Sequence, residues 1–212
     1  MMKEEITEDC PLCGDPSENF HEGEFFLCQT CEGIFRTKRS HPTRSEEKAR
    51  YRTHENDVND PAYQNFVSPI TDAVKSNISQ DQRGLDFGAG TGPVISKVLE
   101  DAGYDIKQYD PFFHDNLELL EGRYDYIVCC EVIEHFHDPY KEFKKLNELL
   151  LPGGYLFCMT NLYRDGVDFG GWGYKNDFTH TFFYQKETFR WIRKEFEFSD
   201  MNIENRLIML VK

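Results

Sequence analysis

The chain has 212 residues with a formal net charge of −14 at pH 7, and 39% of its residues are hydrophobic. This apolar content excludes wholesale disorder, and the length suits one α/β domain with a small appendage rather than two equal domains. The negative charge argues against a nucleic-acid partner, because affinity for phosphates depends on Lys and Arg.

The N-terminal residues carry no pattern of a targeting segment. Residues 1–9 lack an apolar h-region, and no apolar run approaches the roughly 20 residues that span a bilayer. We therefore expect a cytoplasmic protein with no membrane partner. In a reducing compartment, clustered cysteines are better explained as metal ligands than as disulfides.

Two C-x-x-C pairs, Cys10/Cys13 and Cys28/Cys31, stand fourteen residues apart. Four thiolates in tetrahedral geometry suit a closed structural Zn²⁺ site, so we predict a zinc ribbon over residues 1–40. The ligands alone also allow an iron site of rubredoxin type. The paired spacing argues against coincidental core cysteines, and neither pair follows a strand as a redox pair would.

Residues 41–60 are polar and charged, which predicts a helical connector. Basic residues crowd the segment 36–52, so a local basic strip for RNA stays open as an alternative; they are Arg36, Lys38, Arg39, Arg44, Lys48, Arg50 and Arg52. Pro61 suits the first turn of a second helix. Apolar residues recur there every four positions up to Ile78, and the helix is predicted to end near Ser79.

From Gly84 onward, short apolar runs alternate with helical patterns, which indicates βαβ units and a parallel sheet over residues 61–212. Strands are predicted at 84–87, 106–109, 124–130 and 155–160, and helices at 93–102, 139–150 and 186–196. A long loop is predicted at 161–184, and the strands 197–203 and 206–211 close the chain as an antiparallel hairpin. The expected fold is a doubly wound, mostly parallel sheet.

A glycine-rich loop, Leu85-Asp-Phe-Gly-Ala-Gly-Thr-Gly92, follows the first of these strands and opens a helix. Its glycines let backbone N–H groups approach a nucleotide-like cofactor, although such a cluster alone also fits a surface turn. Pro93 stands where a dinucleotide fingerprint needs its third small residue, so NAD is disfavoured. Asp110 follows the next strand, where an acidic side chain accepts hydrogen bonds from ribose hydroxyls. Asp86 is expected to brace the turn or to meet the cofactor's ammonium group through water.

Four further segments follow the glycine-rich loop: Tyr109-Asp-Pro111, Tyr124-Asp-Tyr-Ile127, Glu131-Val-Ile-Glu-His135 and Leu151-Pro-Gly-Gly154. Together with that loop, they resemble the corresponding segments of class I S-adenosylmethionine (SAM)-dependent methyltransferases. The resemblance covers about residues 60–212 and implies a seven-stranded type of sheet with a reversed terminal hairpin. It implies cofactor contacts from Asp86, Phe87, Gly88, Ala89, Gly90, Gly92, Tyr109, Asp110, Pro111 and Glu131.

The sequence departs from that family pattern in one place. Only fourteen residues separate Asp110 from Asp125, so the third strand is expected to be short or absent. Phe112 or Phe113 is then expected to stack on adenine. The whole chain also resembles bacterial methyltransferases that pair this domain with an N-terminal zinc ribbon and carry a Tyr-x-x-His-x-Asn segment, here residues 51–56.

The acceptor side is predicted from Glu131-x-x-Glu134-His135 and from His180, which lies in an aromatic loop. We predict His180, Glu134 and His135 as catalytic residues, with His180 as general base. Glu-x-x-Glu-His also resembles the motif of metal-dependent members, among them ubiquinone-pathway O-methyltransferases and small-RNA 2′-O-methyltransferases. In that case Glu131, Glu134, His135 and His180 would hold a divalent cation. In the alternative without metal, Glu131 touches the cofactor, and Glu134 and His135 cap the strand-to-helix loop. His180 is then either the general base or a hydrogen-bonded packing residue.

The predicted activity is SAM-dependent methylation of a small-molecule acceptor, at oxygen. One alternative is an RNA methyltransferase that uses the ribbon and the basic connector for recognition. The absence of Lys and Arg between Cys10 and Cys31 argues against it. The other alternative is a non-catalytic module that binds the cofactor and methylates nothing.

Overall fold

Two β-sheets organise the described part of the chain, which in this computed structural model comprises residues 7–53, 56–164 and 166–212. The first sheet is antiparallel and begins near the N-terminus. Its strands, in spatial order, are β1 (Thr7–Asp9), β2 (Pro16–His21), β3 (Phe25–Cys28), β4 (Ile34–Arg36) and β9 (Phe182–Phe183). The last strand comes from the predicted loop at 161–184, so a distant segment completes this sheet.

The second sheet is the larger one and is mainly parallel. Its strands, in spatial order, are β10 (Asp200–Glu204), β11 (Leu207–Val211), β8 (Leu150–Met159), β7 (Tyr124–Cys130), β5 (Arg83–Phe87) and β6 (Asp105–Tyr109). Strands β5 to β8 run parallel, and β10 and β11 form the antiparallel hairpin. The predicted α/β fold is confirmed. Within the described residues no strand stands between β6 and β7, so the third strand is absent, as the short spacing predicted.

Five α-helices are found in the described ranges, and local sequence signals explain where they begin. They are α1 (Arg44–Tyr51), α2 (Pro61–Asn77), α3 (Val94–Asp101), α4 (Pro139–Leu149) and α5 (Lys186–Glu195). Thr43 and Glu46 form a capping box at α1. The side chains of Asp60 and Asp138 cap α2 and α4, each followed by a proline in the first turn.

Helices cover both faces of the larger sheet. On one face, Val74 of α2 and Leu99 of α3 pack with Tyr126 and Phe157 of the sheet. On the other face, Phe143 of α4 and Phe189 of α5 pack against the same strands, in a core that continues into the cysteine ribbon. This arrangement leaves the carboxyl ends of the parallel strands uncovered by the helical layers, which is where open α/β sheets bind ligands.

Two predicted strand starts and one predicted loop differ from the structure. Strand β8 begins at Leu150 rather than at 155, because Gly153 and Gly154 exchange backbone hydrogen bonds with Lys212. Strand β10 begins at Asp200 rather than at 197, because Glu197 has a φ of +56° and turns the chain. The loop at 161–184 also contains β9 and a short 3₁₀ turn, Gly173–Asn176.

None of the helices in the described ranges combines the length and the hydropathy needed to cross a membrane.

Candidate active site at the carboxyl edge of the parallel sheet

A cavity of about 770 Å³ opens at the carboxyl ends of β5, β6 and β7. All ten residues predicted to contact the cofactor line it, and so do the predicted catalytic residues His135 and His180. Glu134, the third predicted catalytic residue, lies fully buried behind this wall. The structure therefore places the predicted cofactor and acceptor residues around one continuous space.

The glycine loop turns sharply at Gly88 and Gly90, whose φ values are +88° and +67°. The amides of Gly88 and Ala89 both donate to the carbonyl of Tyr109, at 2.8 and 3.1 Å, which ties the loop to the end of β6. A Cβ atom at Gly88 would stand 2.5 Å from Cγ2 of Val132. Position 88 therefore requires glycine both for its backbone conformation and for space.

Asp110 fixes the same loop through its carboxylate. Its Oδ2 accepts from the amide of Gly90 at 3.0 Å, and its Oδ1 accepts from the amides of Phe112 and Phe113 at 2.8 and 3.1 Å. A carboxylate has about four lone-pair positions, so one remains for a ribose hydroxyl. To accept hydrogen bonds from both ribose hydroxyls, as predicted, Asp110 would have to lose the hydrogen bond from one of these three amides.

Asp86 is buried at the base of the loop, where its Oδ2 accepts a hydrogen bond from Oγ of Ser96 at 2.8 Å. This bond joins the end of β5 to helix α3. Burial raises the pKa of Asp86 to about 7, because the ionised form loses hydration in this position. The side chain also lines the cavity, which matches its predicted place beside the cofactor.

Two carboxylates that follow β7 both lie within reach of the hydroxyl of Tyr174, which is 3.3 Å from Oε2 of Glu131 and nearer to Oε1 of Glu134. Glu131 has a φ of +52°, and its Oε1 pairs with Nη2 of Arg206 at 2.5 Å. Glu134 accepts a hydrogen bond from the hydroxyl of Tyr174 on Oε1, whereas its Oε2 is buried with no partner among the described residues. Burial, reinforced by the negative charge of Glu131, raises the pKa of Glu134 to about 8.

His135 and His180 meet beside Glu134, with ring centroids 4.8 Å apart. Nδ1 of His135 lies 3.0 Å from the carbonyl of Thr179, and Nδ1 of His180 lies 2.7 Å from the carbonyl of Tyr174. Because a carbonyl oxygen only accepts, each Nδ1 carries a proton in this arrangement. Burial lowers the pKa of His180, which favours its neutral form.

Three of the four predicted cation ligands come together. Potential ligand atoms of Glu134, His135 and His180 all lie within 4.8 Å of one another. Glu131 is not part of this group, because its carboxylate is engaged by Arg206. A buried carboxylate oxygen without a partner beside two imidazoles fits a divalent cation, since such an oxygen otherwise loses its hydration without compensation.

Helix α1 forms one wall of the cavity, which the sequence analysis missed. The guanidinium of Arg44 lies 4.6 Å from the ring centroid of Phe112, and Arg50 pairs with Asp177 at 2.7 Å. Tyr51 packs edge-on against both Phe112 and His135. Its neighbours in the Tyr-x-x-His-x-Asn segment, His54 and Glu55, lie outside the described residues. No local pattern marks these contacts, because the partners are far away in the sequence.

The four ribbon cysteines form a compact cluster. Sγ of Cys10 lies 3.5 Å from Sγ of Cys31, Sγ of Cys13 lies 3.3 Å from Sγ of Cys28, and all four lie within 4.8 Å of one another. Four sulfurs about 2.3 Å from one ion in a tetrahedron would be spaced by roughly 3.8 Å. The donor set and the spacing therefore fit a closed structural zinc site.

Residues 55–202, well over half of the chain, match the family described as a methyltransferase domain. The chain belongs to this methyltransferase family. A ubiquinone biosynthesis O-methyltransferase of Erwinia tasmaniensis is 30% identical over 77 residues, which are 36% of this chain and 32% of that protein. The match thus spans about a third of the length of such curated relatives.

Solved structures of methyltransferases share the fold. A SAM-dependent methyltransferase from Archaeoglobus fulgidus superposes with a TM-score of 0.55 at 15% identity, over 70% of this chain and 94% of that one. The 1,6-didemethyltoxoflavin-N1-methyltransferase of Burkholderia thailandensis, solved with its substrate and S-adenosylhomocysteine, gives 0.53 at 14% identity, over 79% and 86%. The predictions of a methyltransferase and of its fold are confirmed, whereas the roles of individual site residues remain predictions.

Proposed function

We propose that this methyltransferase transfers the methyl group of SAM to a hydroxyl oxygen of a small-molecule acceptor. The observation that carries the proposal is the single cavity that joins the glycine loop and Asp110 to His135 and His180. SAM would occupy the end at Asp110, with Asp86 toward its ammonium group. The acceptor would occupy the end at the two histidines, next to Tyr51.

The reaction needs alignment and the removal of one proton. A bond forms between the acceptor oxygen and the methyl carbon while the carbon–sulfur bond of the sulfonium breaks, which leaves S-adenosylhomocysteine as a neutral thioether. The hydroxyl proton passes to a base. His180 is the proposed base, since burial keeps it neutral and its Nδ1 is fixed on Tyr174.

In a second version of the proposal, Glu134, His135 and His180 would instead hold a divalent cation. Nε2 of His180 would then be a ligand rather than the base, and the hydroxyl proton would pass to water. When bound, such an ion supplies a positive charge that lowers the pKa of a nearby hydroxyl. Oε2 of Glu134, which is buried and has no partner in the described part of the chain, supports this version of the proposal. Two similarities to ubiquinone biosynthesis O-methyltransferases support an oxygen acceptor: the Glu-x-x-Glu-His motif at residues 131–135 and the partial sequence match.

The two alternative functions have less support. Arg44 packs on Phe112 and Arg50 pairs with Asp177, so these cations of the connector are engaged within the chain rather than held ready for phosphates. A module that only binds cofactor would not need the paired histidines and carboxylates at the acceptor end.

The test begins with SAM binding, measured by calorimetry. Asp110→Ala should weaken SAM roughly 10- to 100-fold, the loss expected for hydrogen bonds to a charged group, whereas Asp115→Ala, at an exposed nearby position, should bind like the parent. A parent protein that does not bind SAM would overturn the proposal.

The acceptor is then sought by the formation of S-adenosylhomocysteine from a panel of phenols, catechols and alcohols, with and without Mg²⁺. Under the proposal, turnover with a hydroxyl compound is lost in His180→Ala while SAM affinity is kept. Stimulation by Mg²⁺ that Glu134→Gln removes would support the cation. Salt-sensitive retention of RNA on a filter, without turnover of any small molecule, would favour the RNA alternative instead.

A further inference from the structure

Arg36 belongs to the last strand of the cysteine ribbon, yet its side chain reaches into the loop that carries His180. Its Nε donates to the carbonyl of His180 at 3.2 Å, and its Nη2 donates to the carbonyl of Lys175 at 3.0 Å. The third nitrogen, Nη1, pairs with Glu24 of the ribbon. The side chain is only 9% exposed. A buried guanidinium thus joins the ribbon to both ends of the segment 175–180.

The backbone of Arg36 continues the same connection. Its amide donates to the carbonyl of Thr181 at 2.9 Å, and the amide of Thr181 donates to the carbonyl of Glu134 at 2.8 Å. Two residues earlier in the loop, the carbonyl of Thr179 is the partner of Nδ1 of His135. A continuous row of hydrogen bonds therefore runs from the ribbon strand to the three proposed acceptor-site residues.

The position of Arg36 is itself fixed by the ribbon. Strand β4 follows the second cysteine pair directly, and β4 pairs with β3 on one side and with β9 on the other. The ring of Phe25 in β3 lies 4.8 Å from the guanidinium carbon of Arg36. Because β9 follows Thr181 immediately, any shift of the ribbon moves the acceptor loop with it.

We propose that Arg36 is a positioning residue for the acceptor half of the site, so that the ribbon is a working part of the transferase rather than an appendage. Arg36 holds the carbonyls of Lys175 and His180, and this fixes the imidazole of His180 relative to Glu134 and His135. The inference rests on the proposed function of His180. SAM binding, which depends on the glycine loop and Asp110, does not depend on Arg36.

The test compares Arg36→Gln and Arg36→Lys with Arg39→Gln, which removes the same charge at an exposed position. Arg36→Gln should lower kcat about 10- to 100-fold with an unchanged Kd for SAM, since two charge-assisted hydrogen bonds are lost. Arg36→Lys should recover part of the loss, because an ammonium group can reach one carbonyl. Arg39→Gln should match the parent. Parent-like turnover in Arg36→Gln would overturn the proposal.

Two further readouts do not require turnover. The ring resonance of His180, assigned by its loss in His180→Ala, should shift in Arg36→Gln, and amide hydrogen exchange in residues 173–181 should accelerate about tenfold or more. If Arg36→Gln fails to fold, Glu24→Gln serves instead and should show the same two changes to a smaller extent. An unmoved resonance and parent-like exchange would refute the role of Arg36, whereas a parent that binds no SAM would refute only the proposed function.

Discussion

The hydroxyl of Tyr174 donates to Oε1 of Glu134, while Oε2 of the same carboxylate is buried without a partner among the described residues. The tyrosine lies in the long aromatic loop, and the glutamate lies in the turn after β7. The hydroxyl thereby stabilises the ionised form of Glu134 against burial, which works in the opposite direction. One half of the carboxylate is satisfied, and the other half is left for a cation or an acceptor.

Tyr174→Phe should weaken the binding of a divalent cation at this site. The hydrogen bond from Tyr174 lowers the pKa of Glu134, so its removal raises that pKa further above about 8 and leaves less of the carboxylate ionised near neutral pH. We expect Mn²⁺ affinity at about pH 7.5 to fall roughly tenfold and to recover at higher pH, as measured from the free Mn²⁺ signal in electron paramagnetic resonance. Tyr140→Phe, on the exposed side of α4, is the control. Equal affinity in both variants would contradict the role of this hydrogen bond.

Asp86→Asn should change how stability depends on pH. Burial raises the pKa of Asp86 from 3.8 to about 7, so the parent loses stability as pH rises from about 4 through about 7. An asparagine does not titrate. The variant should therefore melt about 2–6 °C higher than the parent at about pH 8 and close to it at about pH 5, while binding SAM less tightly. Asp81→Asn, which makes the same change at an exposed position, is the control.

Alanine at Gly88 and at Gly90 should have unequal effects. Both positions have positive φ, and at Gly90 an added Cβ meets nothing within 4 Å, so strain alone should lower the free energy of unfolding by about 1 kcal/mol. Gly88→Ala adds the contact with Val132 and should lower it by about 2–4 kcal/mol. Combining it with Val132→Ala should recover about 1 kcal/mol in urea unfolding. If the effects of Gly88→Ala and Val132→Ala on the free energy of unfolding simply add in the double variant, the steric contact is excluded.

Cys28→Ser should release the proposed zinc ion and lower the melting temperature by roughly 10 °C or more, because metal binding contributes directly to folding of such a ribbon. The parent is expected to contain about one zinc ion per chain, measured by elemental analysis. Cys158→Ser changes a buried thiol of β8, outside the ribbon, and should keep the metal. Equal zinc content in the parent and in Cys28→Ser would contradict a four-cysteine site.

Local patterns predicted which residues of the cofactor half come together around one cavity, and their contacts with SAM stay predictions. The glycine loop is a contiguous motif, and parallel strands bring Asp86 and Asp110 to the same edge of the sheet without any further information. The spacing between Asp110 and Asp125, compared with the family pattern, predicted a third strand that is short or absent, and none is found there in the described residues. Helix starts followed from capping residues and prolines that act within a few residues.

For the acceptor half, the sequence predicted which residues belong to the site but not how they are arranged. Strand β9 has two residues, too few to show a strand alternation, and it pairs with a strand almost 150 positions earlier. The pairing of Glu131 with Arg206 likewise joins distant parts of the chain, and it holds Glu131 apart from the cluster of the other three predicted ligands. Contacts of this kind follow from tertiary packing, for which one sequence gives no periodic signal.

Strand β6 ends the larger sheet, because no third strand covers its outer side within the described residues. Its exposed positions carry Asp105 and Lys107, whose side chains are about half exposed and pair with each other at 2.9 Å. Charges on an open edge oppose the addition of a foreign strand, since a second chain would have to strip them of water. The shortened sheet therefore has an unpaired edge at β6 that its own charged side chains protect from pairing with other chains. Apolar substitutions at these two positions are expected to promote self-association along this edge.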